Sequence, residues 1–95
     1  MAVRIIIDRK VKRGKVPDLS RLLRALRSKA MPSEGYISGE TLRSLDDPYN
    51  YIVITTWQSV EDWEKWEKNP ERRKVQVKIE KLMARPTRTK IYVYA

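Results

Sequence analysis

The apolar residues of this chain change their spacing in a fixed order along its length, and that order restricts the fold more than any single residue does. From Val3 to Lys12 the residues are β-branched and then alternate apolar with charged, the pattern of a half-exposed strand. After a turn at Arg13-Gly14-Lys15, Pro17 opens a helix whose Leu19, Leu22, Leu23, Leu26 and Ala30 fall on one stripe, and Pro32 and Gly35 end it. Tyr36 to Arg43 and Tyr51 to Trp57 read as strands of an antiparallel hairpin, because the Ser44-to-Asn50 segment between them is rich in turn residues. Ser59 followed by Asp62 is a variant of the Ser-x-x-Glu capping signature and starts a short helix. Asn69 and Pro70 interrupt and restart it. The second segment sets Val75, Ile79, Leu82 and Met83 on one face and is expected to run until just before Pro86, after which Thr87 to Ala95 alternates as a last strand.

The order β-α-β-β-α-β predicts a ferredoxin-like α+β fold, with residues 1–95 as a single domain and the helices on one face of one sheet. The other face would carry either Ile52, Ile54, Tyr92 and Tyr94 or Val53, Ile91 and Val93. Either set is apolar, so the expected cover is a second copy of the chain, packed sheet to sheet as a homodimer. A chain of 95 residues has a thin core of its own and gains from such a partner.

Composition removes several classes of chemistry. The chain has no Cys and no His, which excludes disulfides, thiolate metal sites, imidazole ligands and the ordinary neutral-pH general base. No segment has the length of a signal peptide's apolar core or of a membrane span, so the expected setting is soluble and cytoplasmic. Its glycines stand apart at Gly14, Gly35 and Gly39, so no glycine-rich phosphate loop is formed.

All the tryptophans, Trp57, Trp63 and Trp66, gather at one strand-to-helix corner of a chain without Phe. Trp63 and Trp66 lie about 60° apart around a helix and face inward, with Glu64, Lys65, Glu67 and Lys68 on the other side. They serve as core, or, for Trp66, as the wall of a ligand cleft. On the next helical segment, at about 100° per residue, Gln76 lies about 100° and Arg72 about 60° from Val75, at the margin of the apolar stripe. Either they reach solvent, or with Trp66 and Met83 they frame a mostly apolar pocket with a few orienting polar groups.

The stretch from Gly35 to about Met83 carries a Gly and an aromatic entering a strand, a hairpin, then a strand ending in Trp57 followed by Ser59-x-x-Asp62-Trp63-x-x-Trp66. It resembles the antibiotic biosynthesis monooxygenase superfamily. The resemblance implies a dimeric α+β barrel with a pocket between sheet and helices in each subunit. It also implies cofactor-free oxidation of a small aromatic or phenolic substrate. In that reading Trp66, Arg72 and Met83 bind substrate, Asp8 accepts a proton, and Gln76 or Arg72 steadies an enolate-like oxygen. As a plain strand carboxylate, Asp8 would instead pair with a nearby Arg or Lys. The haem-degrading branch keeps a pocket tryptophan where this chain has Trp66, but its axial His falls at Gln76, so a haem cofactor is not expected.

The net charge of +9 is concentrated in residues 1–31, where ten Lys or Arg stand against Asp8 and Asp18. Arg21, Arg24 and Arg27 form a helical stripe, with Arg9, Lys10, Lys12, Arg13 and Lys15 before it. A nucleic-acid surface is the alternative function this suggests, but the aromatics lie elsewhere and no RNA-recognition strand signature is present.

Overall fold

The computed structural model describes residues 1–95. The elements are β1 (Val3–Lys10), α1 (Val16–Ala30), β2 (Tyr36–Arg43), β3 (Asn50–Trp57), α2 (Val60–Glu67), α3 (Pro70–Glu80) and β4 (Arg88–Val93). The strands form one antiparallel sheet in the order β2-β3-β1-β4, the ferredoxin-like arrangement that the periodicities predict.

The local signals act where the sequence places them. Ser59 Oγ accepts the Asp62 N–H at 3.1 Å and donates to Asp62 Oδ2 at 3.0 Å, closing the first turn of α2. Asn69 Oδ1 accepts the Glu71 N–H at 2.8 Å and so starts α3 with Pro70 in its first turn. Gly35 has φ of +80°, and the Asp62 side chain fills the space where a Cβ would stand. The first turn of α2, through Asp62, and the turn before β2 are thus fitted to each other.

Two boundaries differ from the sequence reading. Helix α3 stops at Glu80, short of Pro86, because the chain beyond it is drawn into pairing with the end of β1. Lys12 N–H donates to Leu82 O at 2.8 Å, Ala84 N–H donates to Lys10 O at 2.7 Å, and Val11 and Met83 form an antiparallel bridge. Strand β1 also buries its charged half further than alternation with exposed charges would suggest: Ile5, Ile7, Arg9 and Val11 all point under the helices.

The core is two apolar clusters side by side. One joins Val3, Ile5, Ile7, Ala30 and the tryptophans; the other joins Val11, Leu19, Leu22, Val75, Ile79 and Met83. Leu26 packs against both. Trp57 is the hub of the first, with ring centroids 5.4 Å from Tyr36, 6.1 Å from Trp63 and 6.4 Å from Trp66. The far face of the sheet presents Ile6, Ile52, Ile54 and Tyr92, the first of the two apolar sets weighed above, since β3 turns Trp57, Thr55 and Val53 toward the helices.

Candidate functional site

A cleft opens between the sheet and the helices, with Trp63 and Trp66 of α2 on one side and Leu23 and Leu26 of α1 on another. Strand β3 contributes Val53 and Thr55, and β2 contributes Tyr36 and Gly39. Mouth included, the space between the walls is about 530 Å³, but the enclosed part is about 50 Å³. That is room for a few water molecules. Gly39 keeps the floor passable, because a Cβ there would stand 2.6 Å from the Tyr36 hydroxyl. The polar groups that converge on this apolar space are the hydroxyls of Tyr36, Thr41 and Thr55 and the guanidinium groups of Arg9 and Arg72.

Those arginines are the unusual feature. Arg9 comes from β1 between Ile7 and Val11, at the seam of the two clusters, and is 0% exposed; Arg72, from the first turns of α3, is 8% exposed. Isolated burial of a cation costs on the order of several kcal/mol, so such groups are ordinarily paired with carboxylates. Here Arg9 Nη2 donates to Gln76 Oε1 at 2.7 Å, while its Nε and Nη1 have no partner. Arg72 reaches only the Glu67 carbonyl, at a long 3.4 Å, lies 5.2 Å from the centroid of the Trp63 ring, and leaves its Nε without a partner.

Burial, reinforced by the positive charge of Arg72 and opposed by Glu80, pushes the Arg9 guanidinium down to about 10. Burial also lowers that of Arg72, with Glu67 opposing. Arg9 therefore remains cationic at neutral pH. Exposed Arg27 stands at the cleft mouth and extends the positive field outward.

Of the residues singled out from sequence, the structure brings Trp66 and Arg72 together in this cleft. Asp8 lies elsewhere: it follows Ile7 on β1, so it points to the opposite face of the sheet. There it accepts from Arg85 at 3.0 Å and from Asn50 at 2.7 Å. Burial raises its pKa, but these hydrogen bonds and the charge of Arg85 outweigh it, so the carboxyl is held below its ordinary value. Its carboxylate therefore lies on the side of the sheet away from the cleft. Gln76 sits behind Arg9, accepting from it and donating to Glu80 Oε1 at 2.7 Å, and Met83 is core beside Val11.

Arg9 was missed as a cleft residue because a charge in an alternating strand reads as solvent-facing. Counting every second residue from Ile5 through Ile7 to Val11 would have placed it inside.

Residues 2–78 match the family model described as antibiotic biosynthesis monooxygenase. The chain belongs to that family. Its fold is shared with a conserved protein from Methanosarcina mazei Go1, at 18% identity and a TM-score of 0.93, covering 97% of this chain and 91% of that one. Rv0793 from Mycobacterium tuberculosis superposes at 16% identity and a TM-score of 0.91, with 100% and 96% covered. SnoaB from Streptomyces nogalater, a cofactor-independent oxygenase, does so at 13% identity and a TM-score of 0.90, with 99% and 93% covered. No curated protein sequence matches.

Within the family frame, the residues at hand do not fit a haem. The chain offers no imidazole, and the side chain at the axial position implied by the resemblance, Gln76, has both ends engaged by Arg9 and Glu80. No group of carboxylates gathers to hold a metal ion, and no helix is long and apolar enough to cross a membrane. The basic surface is thinner than its sequence suggests: Arg9 is buried, Lys10 pairs with Asp47 at 3.2 Å and Arg21 with Asp18 at 3.7 Å.

Proposed function

We propose that this family member binds a small aromatic or phenolic molecule in the cleft beside Trp66 and oxidises it with dioxygen, without a cofactor. The observation that carries the reading is the convergence of Trp66, Arg72 and a few hydroxyls on one narrow apolar space. A ring CH₂ beside an ionised phenol is electron-rich enough to reduce dioxygen directly. One oxygen atom becomes the new carbonyl, and the other leaves as water with the two hydrogens. The chain's own part is to exclude water, orient the ring against Trp66 and stabilise negative charge on the substrate oxygen with Arg72. The enclosed volume of about 50 Å³ is smaller than an aromatic ring, so part of the lining gives way when a ring enters.

The proposal includes a homodimer formed through the far face of the sheet, where Leu42 and Tyr92 are 48% and 49% exposed beside Ile6, Ile52 and Ile54. The test is oxygen uptake by purified protein supplied with an anthrone, with ¹⁸O₂ to trace the inserted atom. Label in the product, lost in Trp66→Ala, supports oxidation in the cleft. Uptake equal to the protein-free rate for every substrate that binds refutes it.

A further inference from the structure

The cleft holds two buried cations and no carboxylate paired to either, and that asymmetry says what kind of ligand it is built for. We propose that the ligand is a small aromatic acid, its carboxylate seated between the guanidinium groups of Arg9 and Arg72 and its ring against Trp66. This deepens the reading above and rests on it.

The geometry supplies the donors. Arg9 has Nε and Nη1 free, Arg72 has Nε free, and all belong to side chains at least nine-tenths buried that line the cleft. Guanidinium N–H groups match the planar oxygens of a carboxylate or phenolate and form charge-assisted bonds with them. Gln76 fixes Arg9 from behind through the 2.7 Å bond, and Trp63 braces Arg72 through its ring face, so the fork is held before a ligand arrives. Glu80 beyond Gln76 and Glu67 on α2 lie outside the cleft lining, and Glu40, whose strand position borders the cleft, shares a register position with far-face Ile54 and pairs with Arg4 at 3.9 Å, so the two guanidinium groups face no carboxylate of their own. Arg27 at the mouth extends that field to incoming anions.

The experiment compares salicylate with salicylamide, which has the same ring and phenol but no carboxylate, by calorimetry on the wild-type protein and on Arg9→Met, Arg72→Met, Arg72→Lys, Trp66→Ala and the Arg21→Gln/Arg24→Gln double variant. Near-ultraviolet circular dichroism confirms that each is folded; if Arg9→Met is not, the Arg72 variants decide. The expected result is that salicylate binds about tenfold or more tighter than salicylamide, and that Arg72→Met removes that preference while salicylamide binding changes little. Arg72→Lys falls between, keeping the charge and losing the fork. Equal affinity for both probes, with both lost in Trp66→Ala, overturns the anion site and leaves the ring-binding cleft standing. A salicylate preference that survives Arg72→Met and disappears in the Arg21→Gln/Arg24→Gln variant also overturns it, placing the anion on the outer surface of α1. If neither probe binds at millimolar concentration, the cleft itself is refuted along with the anion site.

Discussion

Arg9 and Gln76 join the middle of the sheet to the covering helix α3 by one part-buried hydrogen bond, Nη2 to Oε1 at 2.7 Å. The bond is the sole protein partner of a fully buried guanidinium. Gln76→Leu should therefore destabilise the protein by about 1–3 kcal/mol, since it strips the last acceptor from a buried cation. Adding Arg9→Met should recover most of that loss, because the group left unpaired is then gone. Urea unfolding of the two single variants and the double variant checks this; additive losses would mean that the residues act separately.

Trp57 touches Tyr36, Trp63 and Trp66 with no exposed surface, so its removal should be felt by the whole first cluster. Trp57→Ala should cost about 3–5 kcal/mol and Trp57→Phe clearly less. Its indole N–H also donates to Thr55 Oγ1 at 3.0 Å, and the Phe variant loses that bond as well. Denaturant midpoints at constant slope measure both.

Much of this was legible in the sequence, and the rest was hidden for physical reasons. Element order followed from periodicity, and the caps at Ser59 and Asn69 followed from side chains that compete for backbone N–H groups. Trp66 and Arg72 could each be placed at the inner side of its own helical segment because angles within a helix are fixed by geometry, whereas their meeting across the Asn69-Pro70 break rests on the fold. Asp8 could not be placed, since a strand shows which residues share a face but not which face the helices will cover. Met83 was assigned to a helix face, yet it is set by pairing with Val11, a contact between segments far apart in the chain. Arg9 is a violation of the rule that charges face water, and violations of that kind are where function tends to be found.

Acid should destabilise the protein in part through Asp8. Its folded-state pKa lies below its ordinary value of 3.8, so the stability it adds is present above that value and is lost as pH falls through the folded pKa. Asp47, held down by the Tyr49 N–H and by Lys10, works in the same direction. Asp8→Asn should lower stability at neutral pH and flatten the decline below about pH 4. Urea midpoints taken from neutral to acidic pH measure this, and an unchanged acid slope would show that Asp8 contributes nothing to it.

The far face of the sheet should be the dimer contact. Sedimentation at micromolar concentration is expected to show twice the 11.3 kDa chain mass for the wild type and the chain mass for Ile54→Lys, which puts a charge beside Ile6 and Ile52. A wild-type protein that sediments as a single chain would remove the proposed dimer without touching the cleft.

The central claim is that a small aromatic molecule seats beside Trp66, and the most direct measurement follows the indole N–H resonances of Trp57, Trp63 and Trp66 during titration with 1-naphthol and with salicylate. The Trp66 and Trp63 signals should shift together and saturate, while backbone signals from the outer face of α1 around Arg21 and Arg24 stay in place. Indole signals that do not move, with shifts confined to that outer face, would contradict the account.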